Sequence, residues 1–344
     1  MIKKFGFAAA VALVAASAMA SNFRAADQVY VPAAGHITGG SKTFISDIAI
    51  SNVTGDAVSV SVIFSNASGS QTVVNNLFTL QANEHREFSD FVGTAPPNGL
   101  GLSGVLGQLI FNGCKAGGSC DVNDTVGCPG GQQSGVCPDF RNISVESRIY
   151  SIDNGANPLT APTNGQLFTG YPWYSFVTQE QSQNELNRVF ITGIRVNSAY
   201  RTNIGLVNAS QFSSTQFRVK LFQGANQIGN DVVTGTFAPL AAVSQPLGGL
   251  FPNYPLGNGL NLWIQVSQEG ISATGDAGSN GCPTGCPGFF AYGSVLDNTT
   301  NDATTLEPQY FKAISDAQLA CLFPAQGQTV TCKSVPQLHR SVHH

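Results

Sequence analysis

The amino-acid sequence predicts an all-β fold of two tandem antiparallel β-sandwich domains related by internal duplication, plus a short C-terminal disulfide-tied tail. Two observations predict this fold class. Apolar and polar residues alternate over short stretches, and several stretches recur in the same order in the two halves of the chain. No helical period separates the alternating stretches, which favours an antiparallel sandwich over an α/β fold.

The alternation has a period of two residues, which is typical of strands with one buried face. It runs over Val58–Phe64 in the first half, and over Phe217–Leu221 and Leu262–Val266 in the second. Turn-forming stretches such as Asn66–Gly69 and Gln223–Asn226 separate the strands. Roughly seven short strands in each half indicate an immunoglobulin-like sandwich.

The internal duplication is indicated by four stretches of the first half that return in the second. The matched stretches are Val29–Val31 with Val189–Ile191, Phe44–Asn52 with Tyr200–Asn208, Phe78–Phe88 with Phe237–Leu247, and Ser147–Asn154 with Ala291–Asn298. In the last match the two Asp-Asn pairs coincide. The common order of the four matches indicates that one sandwich unit was doubled.

The duplication predicts a simple domain order of leader, first sandwich, linker, second sandwich and tail. The predicted bounds are 1–20 for a signal peptide, 21–169 for the first sandwich with a cysteine-rich loop insertion at 112–141, 170–188 for an aromatic linker, 189–308 for the second sandwich with a shorter cysteine loop at 270–288, and 309–344 for the C-terminal tail.

The first residues predict export. Lys3 and Lys4 precede an apolar run that ends in Ala18-Met19-Ala20, which is the pattern of a secretory signal peptide. No later stretch has the ~18 uninterrupted apolar residues that a spanning helix needs. We therefore expect a protein that is secreted or held at the cell surface, with no membrane insertion.

The charge content of the chain limits the classes of partner that it is expected to bind. Charged residues make up 10% of the chain, against a typical ~25%, and the net charge is −4. No cluster of Lys and Arg is present, so the sequence does not predict nucleic-acid binding.

The cysteines predict disulfides, because an exported chain meets an oxidising environment. They fall into sequence-neighbour pairs, namely Cys114 with Cys120, Cys128 with Cys137, Cys282 with Cys286, and Cys321 with Cys332. The connectivity within Cys114–Cys137 stays open. Around Cys282, proline-rich flanks and a three-residue spacing to the next cysteine favour a structural disulfide that holds the shape of a loop. The same features argue against a redox motif and against a zinc site.

A search for catalytic and metal-binding residues predicts neither a catalytic site nor a cofactor. The G-x-S-x-G motif of α/β-hydrolases is missing, and the charged cluster at Glu84 and His85 is interpreted as a solvated strand or corner. Asp121, Asn123 and Asp124 are weak calcium candidates, because their oxygens are close in sequence but do not follow the EF-hand pattern.

Four aromatic residues in the linker leave two interpretations open. Tyr171, Trp173, Tyr174 and Phe176 are expected either to fill the seam between the two domains or to form a surface on which a sugar stacks.

The stretch SAYRTNIGLVNAS (Ser198–Ser210), followed by an alternating strand and by AYGSVLDNTTND (Ala291–Asp302), resembles the tandem immunoglobulin-like β-sandwich repeats of secreted proteins from environmental bacteria. The resemblance covers both copies, from Val29 to about Pro308. It implies an exported, β-rich surface or matrix protein without a catalytic motif. The long first insertion and the cysteine-bearing tail depart from the simple repeat.

These observations predict a non-catalytic secreted protein with a structural or adhesive role, at the cell surface or in the extracellular matrix. The expected partners are copies of the chain itself or other surface and matrix components. One version has Ser21–Val31 adding a strand to a neighbouring sheet, so that a fibre forms. The alternative is a polysaccharide-binding module, and a hydrolase is a third, weaker hypothesis.

The first testable prediction separates the two interpretations of the linker aromatics. If the linker forms a sugar-binding surface, Trp173→Ala abolishes retention on polysaccharide and leaves the melting temperature nearly unchanged. If it fills the seam, the same substitution lowers the melting temperature strongly. Thermal unfolding and a polysaccharide retention assay on one preparation decide between them.

Overall fold

The computed structural model describes residues 25–118, 139–158, 160, 163–172, 176–178, 188–210, 214–253, 259–272, 288–300 and 302–310. Within these residues the chain forms twenty β-strands and one short α-helix. All strand pairs are antiparallel, and the sheets stack into a β-sandwich-like arrangement. The prediction of an all-β fold is confirmed.

The first half of the described chain contains nine strands, and their order in space differs from their order in sequence. They are β1 (Gln28–Gly39), β2 (Lys42–Asn52), β3 (Val58–Asn66), β4 (Gln71–Leu80), β5 (His85–Phe88), β6 (Val105–Lys115), β7 (Ile143–Asp153), β8 (Asn164–Thr169) and β9 (Tyr171–Pro172). They form one continuous sheet in the order β4-β3-β6-β1-β2-β7-β8, with β5 on β2 and β9 on β1.

Strand β1 carries this sheet from one layer to the other. Its residues from Gln28 to His36 pair with β6, and its last residues, Ile37 to Gly39, pair with β2. We call the layer of β2, β5, β7 and β8 sheet A, and the layer of β1, β3, β4, β6 and β9 sheet B.

The second half contains eleven strands and the helix. They are β10 (Val177–Thr178), β11 (Val189–Ile194), β12 (Tyr200–Asn208), β13 (Ser214–Gln223), β14 (Asn226–Gln227), β15 (Val232–Val233), β16 (Ala242–Pro246), α1 (Leu247–Leu250), β17 (Leu262–Ser272), β18 (Gly288–Asp297), β19 (Ala303–Leu306) and β20 (Gln309–Tyr310). Sheet C has the order β10-β18-β12-β16 with β19 on β18, and sheet D has the order β14-β13-β17-β11-β20 with β15 on β13.

Each half encloses its own apolar core between its two layers. In the first half, alternate residues of β3 point inward, and Val58, Val60 and Val62 are fully buried against both layers. In the second half, Phe217, Val219 and Leu221 of β13 have the same role. The period of two therefore places one face of each strand in a core, as the alternation predicts.

The two halves share details of strand pairing that simple alternation does not require. Strand β1 bulges between Val31 and Ala34 against β6, and β11 bulges between Ile191 and Ile194 against β17. In both bulges a step of three residues on the bulged strand lies opposite a step of two residues on its partner. Short strands β9 and β20 pair with the start of β1 and of β11, respectively.

A buried asparagine repeats the same contacts at the end of β2 and of β12. The Asn52 side-chain amide donates to the Gln81 carbonyl at 2.8 Å, and the Asn208 amide donates to the Ala238 carbonyl at 2.9 Å. Each Oδ1 accepts from the backbone N–H two residues later. These bonds fix the chain where it leaves one layer for the other.

The predicted Asp-Asn turns also occupy matching places. Asn154 Nδ2 donates to the Gly40 carbonyl, and Asn298 Nδ2 donates to the Ser198 carbonyl, both at 3.0 Å. Each amide thus ties the turn after one strand to the start of the strand that pairs with it.

The sixth and seventh strands of the first half lie in different layers. In immunoglobulin domains the sixth and seventh strands, F and G, are neighbours in one sheet. Here β6 pairs with β3 and β1, whereas β7 lies in the other layer between β2 and β8. Strand β1 takes the place beside β6, which leaves no room there for β7.

Strand pairing also extends past several predicted segment bounds. Strand β6 continues to Lys115 because it pairs with Val58, and β17 continues to Ser272 opposite Ser214, so both strands enter the predicted cysteine loops. Strand β20 places residues 309–310 in sheet D, beyond the predicted end at 308.

One sequence match shifts by two residues in the structure. Ile48 pairs with Phe88 in sheet A, and its counterpart Ile204 pairs with Gln245 in sheet C. Phe88 therefore corresponds to Gln245, whereas the sequence match places it against Leu247. Leu247 instead begins α1 and is buried in the core, which explains why its apolar character misaligns the two stretches.

The repeated asparagine yields a stability prediction. Asn208→Ala leaves the half-buried Ala238 carbonyl and the buried Ser210 N–H without these partners, so the free energy of unfolding falls by about 1–3 kcal/mol. The matched control is Asn298→Ala, which removes an exposed contact and costs less than about 1 kcal/mol. Urea unfolding midpoints measure both, and equal losses would contradict the role of the buried amide.

Candidate functional site

A third apolar cluster joins the two halves, and we call it the seam. Its residues come from the outer face of sheet B, from β8, from the linker and from the outer face of sheet C. They are Tyr30, Ile63, Ile110, Phe168, Tyr171 and Phe176 on one side, and Val207, Ala209, Leu240, Ala242, Phe290 and Tyr292 on the other. Each of these residues is at most 8% exposed. The seam therefore resembles a core more than a surface contact.

Two of the predicted linker aromatics lie in the seam. The rings of Tyr171 and Phe176 both stack on Phe290, with centroids 4.9 Å and 5.1 Å away. Phe176 also meets the edge of Tyr30 at 4.6 Å. These two rings are used in packing between the halves. Trp173 and Tyr174 lie outside the described residues.

Polar contacts cross the seam beside the rings. Gln108 Nε2 donates to the Leu240 carbonyl at 2.6 Å. Ser294 Oγ donates to Gln166 Oε1 at 2.6 Å, and Gln166 Nε2 donates to Thr305 Oγ1 at 2.9 Å. Since buried amides without partners are destabilising, these bonds favour one arrangement of the two faces.

The outer face of sheet D carries a row of aromatic residues. The Phe222 and Trp263 rings stack face to face with centroids 4.0 Å apart, and Phe190 approaches Trp263 at 6.0 Å. Trp263 Nε1 donates to the Gly224 carbonyl at 2.7 Å, which ties the row to the β13–β14 turn. All three rings are partly exposed.

This aromatic row corresponds to the part of the first half that is buried in the seam. Phe222 and Trp263 face each other on β13 and β17, as Ser65 and Gln108 do on β3 and β6. Each of these four residues lies three positions along its own strand from a matching core residue. The first-half residues are fully buried under the second half, whereas the second-half residues face outward.

A charged cluster borders the aromatic row. Arg218 donates to both carboxylate oxygens of Glu269 at 2.6 Å and 2.7 Å, and to Asp231 at 3.0 Å. Lys220 lies 3.5 Å from Asp231. The Arg218 hydrogen bonds hold the pKa of Glu269 below its usual range. Burial raises the pKa of Asp231, but hydrogen bonds from Gln227 and Arg218 outweigh that effect and lower it.

A histidine and an aspartate that sequence reasoning did not connect form a half-buried pair. His36 Nδ1 lies 2.8 Å from Asp90 Oδ2, with side chains 29% and 18% exposed. Asp47 Oδ1 accepts from the Asp90 backbone N–H and from the Tyr150 hydroxyl. Burial and the nearby Asp47 raise the pKa of Tyr150. The pair fixes the loop after β5 to β1.

The charged stretch at Glu84 and His85 has structural partners. Glu84 Oε2 accepts from the Gln81 backbone N–H at 2.6 Å, and this bond, followed by Arg86, lowers the pKa of Glu84. His85 Nδ1 contacts Ser51 Oγ at 2.9 Å across the paired strands. The two side chains are thus engaged with different neighbours, and β5 forms an outer strand of sheet A.

Several predicted site residues lie outside the described residues: Asp121, Asn123, Asp124, Cys120, Cys128, Cys137, Cys282, Cys286, Cys321 and Cys332. The calcium site and the cysteine pairing therefore stay predictions. Cys114 lies in β6 and is 6% exposed. Among the residues described, no group of three or more His, Cys, Asp or Glu side chains could hold a metal ion.

Comparison with known proteins gives little help with function. No protein-family model matches the chain, and no curated protein matches it. Among solved structures, it is similar to a lectin from Pleurotus ostreatus in complex with GalNAc, at 11% identity and a TM-score of 0.15. The match covers 82% of this chain and 77% of the lectin. A likeness this weak carries no argument about fold or function.

In the part of the chain that the structure describes, no helix is long and apolar enough to cross a membrane.

The charged cluster predicts a change of stability in acid. Because the folded-state pKa values of Glu269 and Asp231 are lowered, their contribution is present at neutral pH and is lost as the pH falls through those values. The groups are 24–38% exposed, so solvent screening limits the effect of Arg218→Gln to about 1 kcal/mol.

Chemical unfolding between pH 7 and pH 3 measures this effect. Arg218→Gln is expected to be less stable than the parent at pH 7 and to lose less stability on acidification. Lys42→Gln is the matched control, since Lys42 and Asp153 are paired but well exposed. Parallel curves for the parent and Arg218→Gln would refute the assignment.

Proposed function

We propose that the chain is an exported, non-catalytic structural or adhesive protein built from two duplicated sandwich units, and that it associates with copies of itself through the outer face of sheet D. The residues that define this contact surface are Phe190, Trp263 and Phe222, bordered by Lys220 and Arg218.

The observation that carries the proposal is the different fate of one face in the two halves. In the first half, the outer face around Tyr30 and Gln108 is buried under the second half. In the second half, the matching face holds Phe190 and Trp263 and is partly exposed. Exposed aromatic residues on a sheet face are typical of protein contact surfaces. The surface therefore suits a further protein layer.

The ring geometry favours a protein partner over a sugar. A sugar ring stacks on the open face of an aromatic side chain, but the facing surfaces of Phe222 and Trp263 cover each other at 4.0 Å. The Trp263 N–H is already bonded to the Gly224 carbonyl. All three rings are partly exposed, and their exposed parts fit side chains of a packed protein face.

Association through a face also fits the strand edges better than strand addition does. Residues Val29–Val31 of β1 pair with β6, and Val29 also pairs with β9, so these residues are engaged within their own chain. Strand β4, at an edge of sheet B, is interrupted by a bulge around Asn76 opposite Ser61. Bulges and charges on outer strands discourage edge-to-edge pairing.

The proposal predicts that Phe190→Ser weakens self-association. Loss of a central aromatic residue from an interface is expected to raise the dissociation constant by at least ~10-fold, which corresponds to ~1.4 kcal/mol. Sedimentation velocity over a range of protein concentrations measures the effect. The unfolding midpoint is recorded alongside, to show that the fold is retained.

The matched control is Leu167→Ser on β8, which removes an apolar side chain that is 57% exposed on another surface. The control should associate like the parent. Equal association of the parent and Phe190→Ser, or an equal loss in both variants, would contradict the assigned surface. A pull-down on insoluble polysaccharide with the same proteins tests the sugar-binding alternative, which predicts retention that Phe190→Ser abolishes.

A further inference from the structure

A pocket of about 340 Å³ opens at one side of the second sandwich, next to the first half. Its apolar wall includes Val232, Phe237 and Leu250, and its rim includes Thr234 and Gln245. Ala67, in the turn between β3 and β4, contributes the wall from the first half. The pocket shares no residue with the aromatic row on sheet D.

The corresponding place in the first half is filled by aromatic rings of the chain itself. Phe78 on β4 packs against Phe88 at 4.7 Å and against the edge of Phe91 at 6.5 Å. The Arg86 guanidinium lies 5.7 Å above the Phe78 ring. Phe78, Phe88 and Phe91 are at most 7% exposed, so this side of the first sandwich is closed.

Strand register shows which residues of the second half stand in these positions. Phe78 faces Val60 on β3. The counterpart of Val60 on β13 is Phe217, because Val62 and Val219 are opposite matching residues of β6 and β17. The Phe217 carbonyl accepts from the Thr234 N–H. Thr234 therefore stands opposite Phe217 as Phe78 stands opposite Val60.

Two of the three contacts of Phe78, those with Phe88 and Arg86, are replaced in the same way. Phe88 corresponds to Gln245, and Arg86 corresponds to Val243, because β5 and β16 pair with matching residues of β2 and β12. Gln245 and Val243 both line the pocket, as does Gly235, which follows Thr234. Two phenyl rings and a guanidinium are thus exchanged for smaller side chains that line the pocket, while Phe217 brings a ring to the position of Val60 and packs on Phe237 at 4.8 Å.

We propose that this pocket is a binding site for one uncharged aromatic ring, supplied either by a small molecule or by a side chain of an extended protein segment. The space accepts a ring because the matching space of the first half holds one. An apolar cavity of ~150 Å³ is enough to bind benzene in a protein core. The present pocket is larger and open to solvent on one side.

The lining sets the chemistry of the ligand. None of the ten residues that line the pocket in the described part of the chain is charged. A charged ligand would lose hydration without gaining a partner, so the site selects neutral rings. The Thr234 hydroxyl already accepts from the Phe217 N–H and donates to the Gly235 carbonyl. The Gln245 amide and the Thr236 hydroxyl can bond one polar substituent, such as the hydroxyl of a phenol or benzyl alcohol.

Helix α1 offers a matched pair of variants. Gly248 and Gly249 are adjacent, and a Cβ added at either one meets no atom within 4 Å. Gly249 lines the pocket, whereas Gly248 does not. Gly249→Leu therefore fills the pocket, and Gly248→Leu adds the same side chain beside it.

The test is an NMR titration of the whole protein with benzyl alcohol, with cyclohexylmethanol and benzoate as the non-aromatic and charged comparison probes. Saturable binding of benzyl alcohol is expected in the millimolar range or tighter, with at least ~10-fold weaker binding by Gly249→Leu. Gly248→Leu should bind like the parent, and benzoate should not compete. Cyclohexylmethanol should bind more weakly than benzyl alcohol.

A second arm identifies the source of the ring. A synthetic peptide of residues Gln71–Leu80, and the same peptide with Phe78→Ala, are titrated in parallel. Binding of the parent peptide alone supports a side chain as the ligand, whereas binding of benzyl alcohol without the peptide supports a small molecule. The proposal is overturned if neither probe saturates, or if Gly249→Leu binds as the parent does. Self-association is measured separately, so its absence would leave this result untouched.

Discussion

The need to bury both faces of sheet B governs the arrangement of this protein. Strands β1, β3 and β6 direct Val29, Val62 and Phe111 into the first core, and they direct Ile63 and Ile110 to the opposite side. A sheet that is apolar on both faces needs a layer on each of them. Sheet A supplies one layer. The second half supplies the other through the outer face of sheet C.

The two halves differ mainly in side chains at their surfaces and at the seam. Matching pairing, bulges and asparagine contacts keep the sandwich frame the same. The differences between the halves are different side chains at matching positions of this frame. Ser65 and Gln108, buried under the second half, are replaced by the partly exposed Phe222 and Trp263. A closed aromatic cluster is replaced by a pocket. The proposed contact surface and the proposed pocket both lie where the two halves differ, because a shared frame alone cannot distinguish one surface from another.

Sequence reasoning could find the strands, since a period of two directly reflects burial on one side. It could not assign the strand order, because the place of β1 beside β6 depends on contacts far apart in sequence. It shifted the match of Phe88 by two residues, since apolar character alone cannot separate Gln245 in a strand from Leu247 in a helix. The pair of His36 and Asp90 was missed for want of any local signal. The pocket in the second half has no sequence motif either, because its lining residues are spread over separate stretches of the sequence.

The double-faced sheet has a consequence for how the chain is made. Ribosomes build the N-terminal residues first, so Tyr30, Ile63 and Ile110 are complete before Val207 and Phe290 exist. Until the second half is made, the outer apolar face of sheet B is exposed to water. An exposed apolar face of this kind promotes aggregation with other unfolded chains. The outer face of sheet B is therefore covered only once the second half has folded against it.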